Sequence, residues 1–371
     1  MSLQAPPSAA FRIKGLRVLD EIPQPLCCDS IESRVDPNDP SQHLIACGMY
    51  QLREGSGGAD DNSQRIGSIV LYRFNTETKQ VVESSRVDEN LNCAGVFDMK
   101  WNSRHASPLG PLLLAAACAD GAVALFDTKL ERLSNVSLIG NAGFCLALDF
   151  EPQQENLQRI CVSCSTGEIH VVDLAAEQSV LSWPAHWYAH DSSCPAEIWT
   201  IAWGSSSSSS TSSLIASGAD DGVLKLWDCR SPDQATAVQT RRSAHDDDCG
   251  VCSLQFDPYR DFTLLSGGYD GKIRMWDVRS LKTPVRTTGK KLGGGVWRVR
   301  AAQDGRVLGA CMRGGFRVLS SSQDWTEEAI YSEAKDDHWE ALAYGADWIT
   351  DRVVAGCSFY DKRFRLFELE K

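Results

Sequence analysis

Apolar and polar positions alternate along most of this chain in short segments, and these segments recur as a unit. In each unit an apolar strand leads into a tight turn with Asp or Gly, and a second strand ends in an aromatic residue and an acid. The clearest copies are LIASGADDGVLKLWD (214–228) and LLSGGYDGKIRMWD (264–277). Weaker copies occur at 113–127, 159–173, 307–319 and 353–368, and an opening copy at 44–52 resumes at 67–74. This alternation, with almost no helical periodicity, predicts an all-β protein.

The turn positions of these copies give the length of the repeat. They are Gly67, Gly121, Gly167, Gly222, Gly271, Gly315 and Lys362. Seven units with spacings of 54, 46, 55, 49, 44 and 47 residues have a period just above that of a WD-repeat blade. They predict a seven-bladed WD-repeat β-propeller. The strand at 15–22 has no blade of its own, so we expect it to complete the last blade and close the ring.

The longer spacings coincide with visible insertions between strands. One is rich in Gly and Asp, and another contains a tract of six serines, as is typical of loops and linkers. We therefore predict a single β-propeller domain over residues 1–371, with loop insertions near 53–65, 186–195 and 205–213. The third unit is degenerate, with Thr166 at its turn and Val172 where the best copies have Trp.

The two best copies also contain the side chains of the hydrogen-bonded tetrad found in WD-repeat blades. One set is Ser266, Asp270 and Trp276 with His245, and the other is Ser217, Asp221 and Trp227 with either His186 or His190. A buried hydrogen-bonded chain of this kind fixes the turns within a blade. A structural role is therefore favoured for these groups over a Ser-His-Asp catalytic triad.

Composition and charge then narrow the function. The chain has 37 Lys and Arg against 49 Asp and Glu, a net charge of -12, so a nucleic-acid partner is not expected. The longest apolar run, 111–119, is too short for a bilayer span, and no secretory signal pattern begins the chain. The 14 cysteines include two CxxC pairs without matching zinc ligands. We expect a cytoplasmic protein with reduced thiols, no metal, no cofactor and no membrane partner.

Several aromatic and acidic residues are not required for building blades. Because blade strands alternate in direction, the start of each first strand and the turn between the next two lie on one face. The residues predicted to surround this channel mouth are Glu197, Trp199, Trp297, Tyr344, Asp347, Trp348 and Tyr360. Aromatic rings beside acids can hold a quaternary ammonium group. The alternative is plain blade packing, since a tryptophan at a strand start is often a core residue.

The same stretches carry a resemblance to a known family. The chain resembles the diphthine methylesterases, the WD-repeat proteins of diphthamide biosynthesis, through ACGMYQL (46–52), GGVWR (294–298), YGADW (344–348) and CSFYD (357–361), in this order. Further matching stretches include SWPAH (182–186), GVCSLQ (250–255) and ACMRGGFRVL (310–319), so the resemblance spans most of the chain. The WD stretches alone are common to many proteins.

The resemblance implies a reaction and a partner. The family is taken to hydrolyse the methyl ester of methylated diphthine, a modified histidine of translation elongation factor 2, releasing methanol and diphthine for later amidation. The substrate carries a trimethylammonium group, which an aromatic and acidic mouth would favour. The long HWYAHDSSCP stretch (186–195) departs from the pattern expected for the family.

The catalytic groups are less clearly marked, because the chain has no GxSxG elbow and no HExxH helix. Cys252 and Ser358 are possible nucleophiles, and Arg298, or backbone N–H groups near Gly294 and Gly295, could hold the oxyanion. Water activated by a histidine with Asp347 is an alternative. The possible bases are His186, His190, His245 and His338. A different class of function also stays open, a non-enzymatic adaptor that uses the same mouth to bind a protein partner.

Overall fold

The alternation of apolar and polar residues produces antiparallel sheets throughout the part of the chain that can be described. The computed structural model describes residues 12–53, 65–88, 93–102, 112–152, 159–191, 193–204, 211–231, 236–333 and 341–370. In chain order the strands are β1 (Arg12–Lys14), β2 (Leu16–Pro23), β3 (Cys27–Asp36), β4 (Asp39–Leu52), β5 (Arg65–Asn75), β6 (Val81–Val87), β7 (Val96–Trp101), β8 (Leu114–Cys118), β9 (Ala122–Phe126), β10 (Arg132–Ser137), β11 (Cys145–Phe150), β12 (Arg159–Cys164), β13 (Glu168–Asp173), β14 (Gln178–Pro184), β15 (Thr200–Trp203), β16 (Leu214–Gly218), β17 (Leu224–Asp228), β18 (Gln239–Arg241), β19 (Val251–Phe256), β20 (Thr263–Gly268), β21 (Ile273–Asp277), β22 (Arg286–Thr287), β23 (Arg298–Ala301), β24 (Val307–Ala310), β25 (Phe316–Leu319), β26 (Glu327–Ser332), β27 (Ala343–Trp348), β28 (Val353–Ser358) and β29 (Arg363–Leu369). Two single 3-10 turns, Gly140–Ala142 and Asp246–Asp248, are the helical segments of these residues, and no helix among them is long and apolar enough to cross a membrane.

These strands form seven sheets in the described residues, and each sheet is one blade of a β-propeller. Blades one to five are β3–β6, β7–β10, β11–β14, β15–β18 and β19–β22, with the strands of each pairing in chain order. Blade six begins with β23–β26 and blade seven with β27–β29. The predicted all-β, seven-bladed propeller is confirmed. The single domain over 1–371 stays a prediction, and its insertions near 53–65 and 205–213 lie largely outside the described residues.

The chain closes the ring with its first strands. Strand β2 pairs antiparallel with β29, with Leu16 opposite Leu369 and Val18 opposite Phe367, which confirms the expected closure. Strand β1 pairs instead with β26 and adds a fifth strand to blade six, which the sequence pattern did not predict. Gly15 joins the two strands at φ +64°, a conformation that favours glycine, so one short segment ties blade seven to blade six.

The tight turns follow the spacing found in the sequence, with one difference. Gly121, Gly167, Gly222, Gly271, Gly315 and Lys362 all have positive φ. Gly67 does not, because it lies inside β5 rather than in a turn. A Cβ atom at Gly67 would lie 1.9 Å from the Ala94 carbonyl oxygen, so close backbone approach requires the glycine there.

Two buried tetrads fix the blades that carry the clearest repeats. In one, His245 Nδ1 lies 2.8 Å from Asp270 Oδ1, His245 Nε2 lies 2.9 Å from Ser266 Oγ, and Trp276 Nε1 donates to Ser266 Oγ at 2.9 Å. An indole N–H can only donate, so Ser266 Oγ accepts from Trp276, and a carboxylate can only accept, so Asp270 accepts from the Nδ1–H of His245. Burial lowers the pKa of His245.

The second tetrad settles the choice between two histidines. His186 lies 2.9 Å from Asp221 Oδ2 and 2.8 Å from Ser217 Oγ, and Trp227 donates to the same hydroxyl at 2.8 Å. His190 is exposed, and its ring lies 5.5 Å from the Tyr188 ring in a tilted arrangement instead. The prediction of structural tetrads is therefore confirmed, with His186 as the member that the sequence left open.

Short polar side chains link the inner strands of neighbouring blades around the axis. In each link a side-chain oxygen or an indole N–H on one inner strand bonds the backbone of the next. The links with their distances are Trp101 Nε1 to Glu32 O 3.3 Å, Leu148 N to Asp98 Oδ2 3.3 Å, Trp203 N to Asp149 Oδ2 2.9 Å, Leu254 N to Thr200 Oγ1 2.8 Å, Ala301 N to Gln255 Oε1 2.8 Å, Trp348 Nε1 to Arg300 O 3.1 Å, and Ser33 N to Asp347 Oδ2 2.8 Å. We call these links the inner-strand ring, and they align all seven inner strands.

The closing strand offers a test of the ring. Leu16 is 1% exposed and packs between blades six and seven, whereas Val18 on the same strand is 36% exposed. Replacing Leu16 with Ala removes buried contacts and should lower the free energy of unfolding by roughly 2–5 kcal/mol. Val18→Ala, the matched control, should change it by no more than about 0.5 kcal/mol. Urea unfolding followed by tryptophan fluorescence measures both. Equal effects of the two substitutions would contradict closure by β2.

Candidate functional site

The two ends of the propeller axis differ in character. All inner strands start at one end, which we call the upper mouth, because each follows the outer strand of the preceding blade. Strand β27 spans both ends, with Tyr344 near its start and Trp348 at its finish. Four residues of extended chain separate them by about 13 Å at roughly 3.3 Å per residue. Residues of the short motif YGADW (344–348) are therefore divided between the two ends.

The upper mouth is lined by a continuous chain of aromatic rings, which we call the aromatic arc. Its members and the centroid distances between them are Phe144–Phe97 5.6 Å, Phe97–Tyr50 4.8 Å, Tyr50–Phe359 5.0 Å, Phe359–Tyr344 5.1 Å, Tyr344–Trp297 4.9 Å and Trp297–Trp199 5.5 Å. Tyr360 and Tyr269 join its outer side, and they are 53% and 42% exposed. The arc combines half-buried rings with an exposed rim, as a binding surface requires.

Two carboxylates stand beside the tryptophan end of the arc. Glu197 is half-buried, and burial together with the charge of Asp220 raises its pKa, while Arg65 partly opposes this shift. Asp220 accepts a hydrogen bond from the Tyr188 hydroxyl at 2.8 Å. The Arg65 guanidinium lies 4.4 Å from the centre of the Phe144 ring at the far end of the arc. Negative charge is thus concentrated near Trp199 and Trp297.

Most of the predicted binding residues meet at this mouth, but two do not. Glu197, Trp199, Trp297, Tyr344 and Tyr360 lie at the upper mouth. Their roles stay predictions. Trp348 and Asp347 lie at the opposite end, which corrects their assignment to the same mouth. The Trp348 indole donates to the Arg300 carbonyl, and Asp347 accepts from Ser33 N in the inner-strand ring.

The opposite end holds a cavity with a volume of about 750 Å³. It is lined by the ends of the inner strands and by Glu32, Lys100, Arg300 and Asp347. Glu32 binds Lys100 Nζ at 2.8 Å and also Arg300, and Arg300 Nε lies 3.4 Å from Asp347 Oδ1. Charged groups of both signs neutralise one another in this cavity. The tryptophans that line it pack between blades or under arginines. We therefore place the candidate site at the aromatic end.

The two predicted nucleophiles are poorly activated. Cys252 is 3% exposed, its thiol contacts Gly250 O at 3.5 Å, and burial with the charges of Asp220 and Asp270 raises its pKa well above the ordinary value. Only a thiolate is a strong nucleophile. Ser358 is 2% exposed, and its hydroxyl accepts a hydrogen bond from Arg365 Nη1 at 2.6 Å. The contacts of both side chains therefore serve the fold and do not activate a nucleophile.

Two of the four predicted bases are also committed to other contacts, whereas His190 is exposed. Both ring nitrogens of His186 and of His245 are used in the tetrads, which lie within blades. They cannot accept a proton from water without breaking a buried chain, and this corrects their proposed catalytic role. His338 lies outside the described residues. Among those that are described, no group of three or more His, Cys, Asp or Glu side chains is arranged to hold a metal ion.

Arg298 lies directly behind the aromatic arc, together with a carboxyl group that the sequence did not single out. Arg298 is 8% exposed, and its Nη2 binds Asp98 Oδ1 at 3.1 Å. Asp29 is 2% exposed, and its charge acts on Tyr50 and Tyr344 of the arc. Burial raises the pKa of Asp29 well above its ordinary value, and the charge of Arg298 opposes part of that shift. The stretch CCDSIESRVD has weak alternation, so no signal marked β3 as an inner strand.

Comparisons with known proteins agree with this architecture. A family model described as WD domain, G-beta repeat matches residues 181–228 and 237–277. Human "Diphthine methyltransferase" is 31% identical over 90% of this chain and 75% of its own length. The Dictyostelium discoideum "Diphthine methyltransferase homolog" is 28% identical over 87% of this chain and 92% of its own. The Schizosaccharomyces pombe "Diphthine methyltransferase" is 29% identical, with 88% and 91% covered.

The likeness to solved structures concerns the fold alone. A chain of the "Crystal Structure of Mitotic Checkpoint Complex" superimposes with a TM-score of 0.67 at 16% identity, covering 100% of this chain and 96% of that one. The propeller is therefore shared with proteins of other function, and the upper mouth must distinguish this chain from them.

The state of the cysteines can be tested without a substrate. Cys194 is exposed, whereas Cys252 is buried with a raised pKa. Iodoacetamide at pH 7.5 should label Cys194 first and should reach Cys252 only after unfolding, because the reagent needs an accessible thiolate. Peptide mass spectrometry at increasing times measures both sites. Early labelling of Cys252 in the folded protein would restore it as a candidate nucleophile.

Proposed function

Since this chain belongs to the diphthine methyltransferase family, we propose that it acts in diphthamide biosynthesis by hydrolysing the methyl ester of methylated diphthine on translation elongation factor 2. Water would be the acceptor, and the products would be methanol and diphthine. The observation that supports this proposal is the aromatic arc with Glu197 and Asp220 beside it. We further propose that the protein works in the cytoplasm, where elongation factor 2 acts.

The arc has the chemistry that a trimethylammonium group requires. A quaternary ammonium cannot donate a hydrogen bond, so its recognition depends on aromatic faces and on nearby negative charge. Trp199, Trp297 and Tyr344 offer three half-buried rings in sequence, and Glu197 adds a carboxylate. The exposed Tyr269 and Tyr360 would contact the part of the factor that surrounds the modified histidine.

The names of the relatives refer to methyl transfer, and addition of a methyl group to the factor from a methyl donor is the competing reaction. Hydrolysis removes one methylene mass from the modified peptide and releases methanol. Methyl addition increases the mass by the same amount and needs a methyl donor. Incubating catalytic amounts of the protein with the methylated factor, without any added donor, should decrease the mass. Unchanged mass with retained binding would refute the esterase and leave an adaptor.

A matched pair of tryptophans tests recognition by the arc. Trp297→Ala removes the central ring and should raise KM for the modified factor roughly two- to thirty-fold, as expected for losing a cation–π contact of about 0.5–2 kcal/mol. Trp348→Ala removes a ring of similar burial at the other end and should leave KM unchanged. Tetramethylammonium chloride should compete with the substrate in the wild type, and more weakly in Trp297→Ala. Equal KM values for the two variants would contradict a site in the arc.

A further inference from the structure

Three polar atoms at the base of the upper mouth have no hydrogen-bond partner among the described residues. They are Asp29 Oδ1, Arg298 Nε and Trp199 Nε1. Buried polar atoms are nearly always paired in folded proteins, because an unpaired one loses its water without compensation. The charges of Asp29 and Arg298 interact, so an open acceptor and an open donor belong to neighbouring side chains and fit a ligand that presents both an acceptor oxygen and a proton. An ester carbonyl with an attacking water presents this combination.

The positions of Asp29 and Arg298 relative to the aromatic arc follow from the start of strand β23. Trp297 and Arg298 are successive residues, so their side chains point to opposite sides of the chain. The Trp297 ring stacks on Tyr344 in the arc, and the Arg298 guanidinium reaches Asp98 near the axis. Trp297 also hydrogen-bonds to Asp29. The carboxyl and the guanidinium therefore lie within one side-chain length of rings that would hold the ammonium of the same substrate side chain.

The charges near the axis leave Asp29 without a cation of its own. Three carboxylates, Glu32, Asp98 and Asp347, lie against the cations Lys100, Arg298 and Arg300, and we call these six residues the axial ion-pair network. This network has equal numbers of both charges. Asp29 is a further carboxyl near the start of β3 and is 2% exposed, and Asp149, whose charge acts on Arg300, is another near the axis. Burial raises the pKa of Asp29 above the ordinary carboxyl value, which makes its carboxylate a stronger base.

We propose that Asp29 and Arg298 form the catalytic pair of this site, with the Asp29 carboxylate as general base and the Arg298 guanidinium as oxyanion donor. The inference rests on the proposed esterase function. Asp29 Oδ1 takes one proton from water while the water oxygen bonds to the ester carbonyl carbon, and Arg298 Nε donates to the oxyanion that forms. The tetrahedral intermediate then expels the methoxy group, which receives the proton held by Asp29 and leaves as methanol. Giving up that proton returns Asp29 to its ionised form, and the carboxylic acid product loses its own proton to solvent, so all atoms balance.

Single substitutions of the pair give the first test. Asp29→Asn keeps the shape of the side chain and removes the base, so kcat should fall by roughly 10²–10⁴-fold. Its KM for the modified factor should stay unchanged, because the arc is intact. Arg298→Gln should lower kcat by roughly 10²–10³-fold. Asp149→Asn, an axial carboxylate at the opposite end, is the control and should keep the wild-type kcat. The assay is the loss of one methylene mass from the modified peptide, with folding checked by circular dichroism.

The pH dependence separates catalysis from a structural role. In the wild type kcat should rise with pH through a midpoint above the ordinary carboxyl pKa of 3.8, and Asp29→Asn should lose this step. Asp29 has its ordinary pKa in the unfolded chain and a raised pKa in the folded protein. Between these two pKa values the folded protein binds more protons than the unfolded chain, so ionised Asp29 destabilises the fold at neutral pH. Asp29→Asn should accordingly have an equal or higher Tm than the wild type at pH 7.5 and no such gain at pH 4.

The outcomes distinguish the two proposals. If the wild type removes the methyl group and Asp29→Asn does so at the same rate, the catalytic pair is wrong and the esterase stands. If the wild type leaves the mass unchanged, the proposed function fails and the pair fails with it. A large loss of kcat together with a lowered Tm at pH 7.5 would make Asp29 a structural residue and would also refute the pair.

Discussion

The inner-strand ring is the constraint on which the rest of this structure depends. Each link uses one short polar side chain or indole to satisfy a backbone group that faces the axis, where no further strand is available to pair with it. The links extend from blade one through blade seven and return to blade one at Ser33 and Asp347. The inner strands all start at one end because each follows the outer strand of the preceding blade, and the links hold these strand starts around the axis. The composition of that end is then set by whichever residues begin each strand.

This alignment explains why the two mouths differ so strongly. Residues at strand starts, such as Trp199, Trp297 and Tyr344, come from different blades and are far apart in sequence, yet they meet as one arc. Residues at strand ends form the charged cavity instead. Four members of the axial ion-pair network, Glu32, Lys100, Arg300 and Asp347, line that cavity, whereas Asp98 binds Arg298 behind the aromatic arc.

The repeat, the closure by β2 and the tetrads could be predicted from the sequence, since each depends on local patterns with fixed offsets. The aromatic mouth was predictable in part, because strand starts share a face. The parts of this prediction that were wrong or incomplete have physical causes. YGADW was treated as one cluster, although an extended strand carries Trp348 and Asp347 to the far end. Asp29 was overlooked because CCDSIESRVD alternates too weakly to mark an inner strand, and its importance depends on burial, which no sequence pattern reveals.

The electrostatic situation of Asp29 connects the scaffold to the proposed chemistry. Arg298 is shared with Asp98, so it can offset only part of the cost of ionising a second buried carboxyl beside it. Stability alone would favour an uncharged residue at this position, because the ring is already closed by other links and the axial network is already balanced. A fold that keeps a buried carboxyl with one unpaired oxygen and a guanidinium with one unpaired nitrogen, next to its most aromatic surface, maintains an energetic cost that its architecture does not require. Such local costs are typical of functional sites, where a bound group supplies the missing partners.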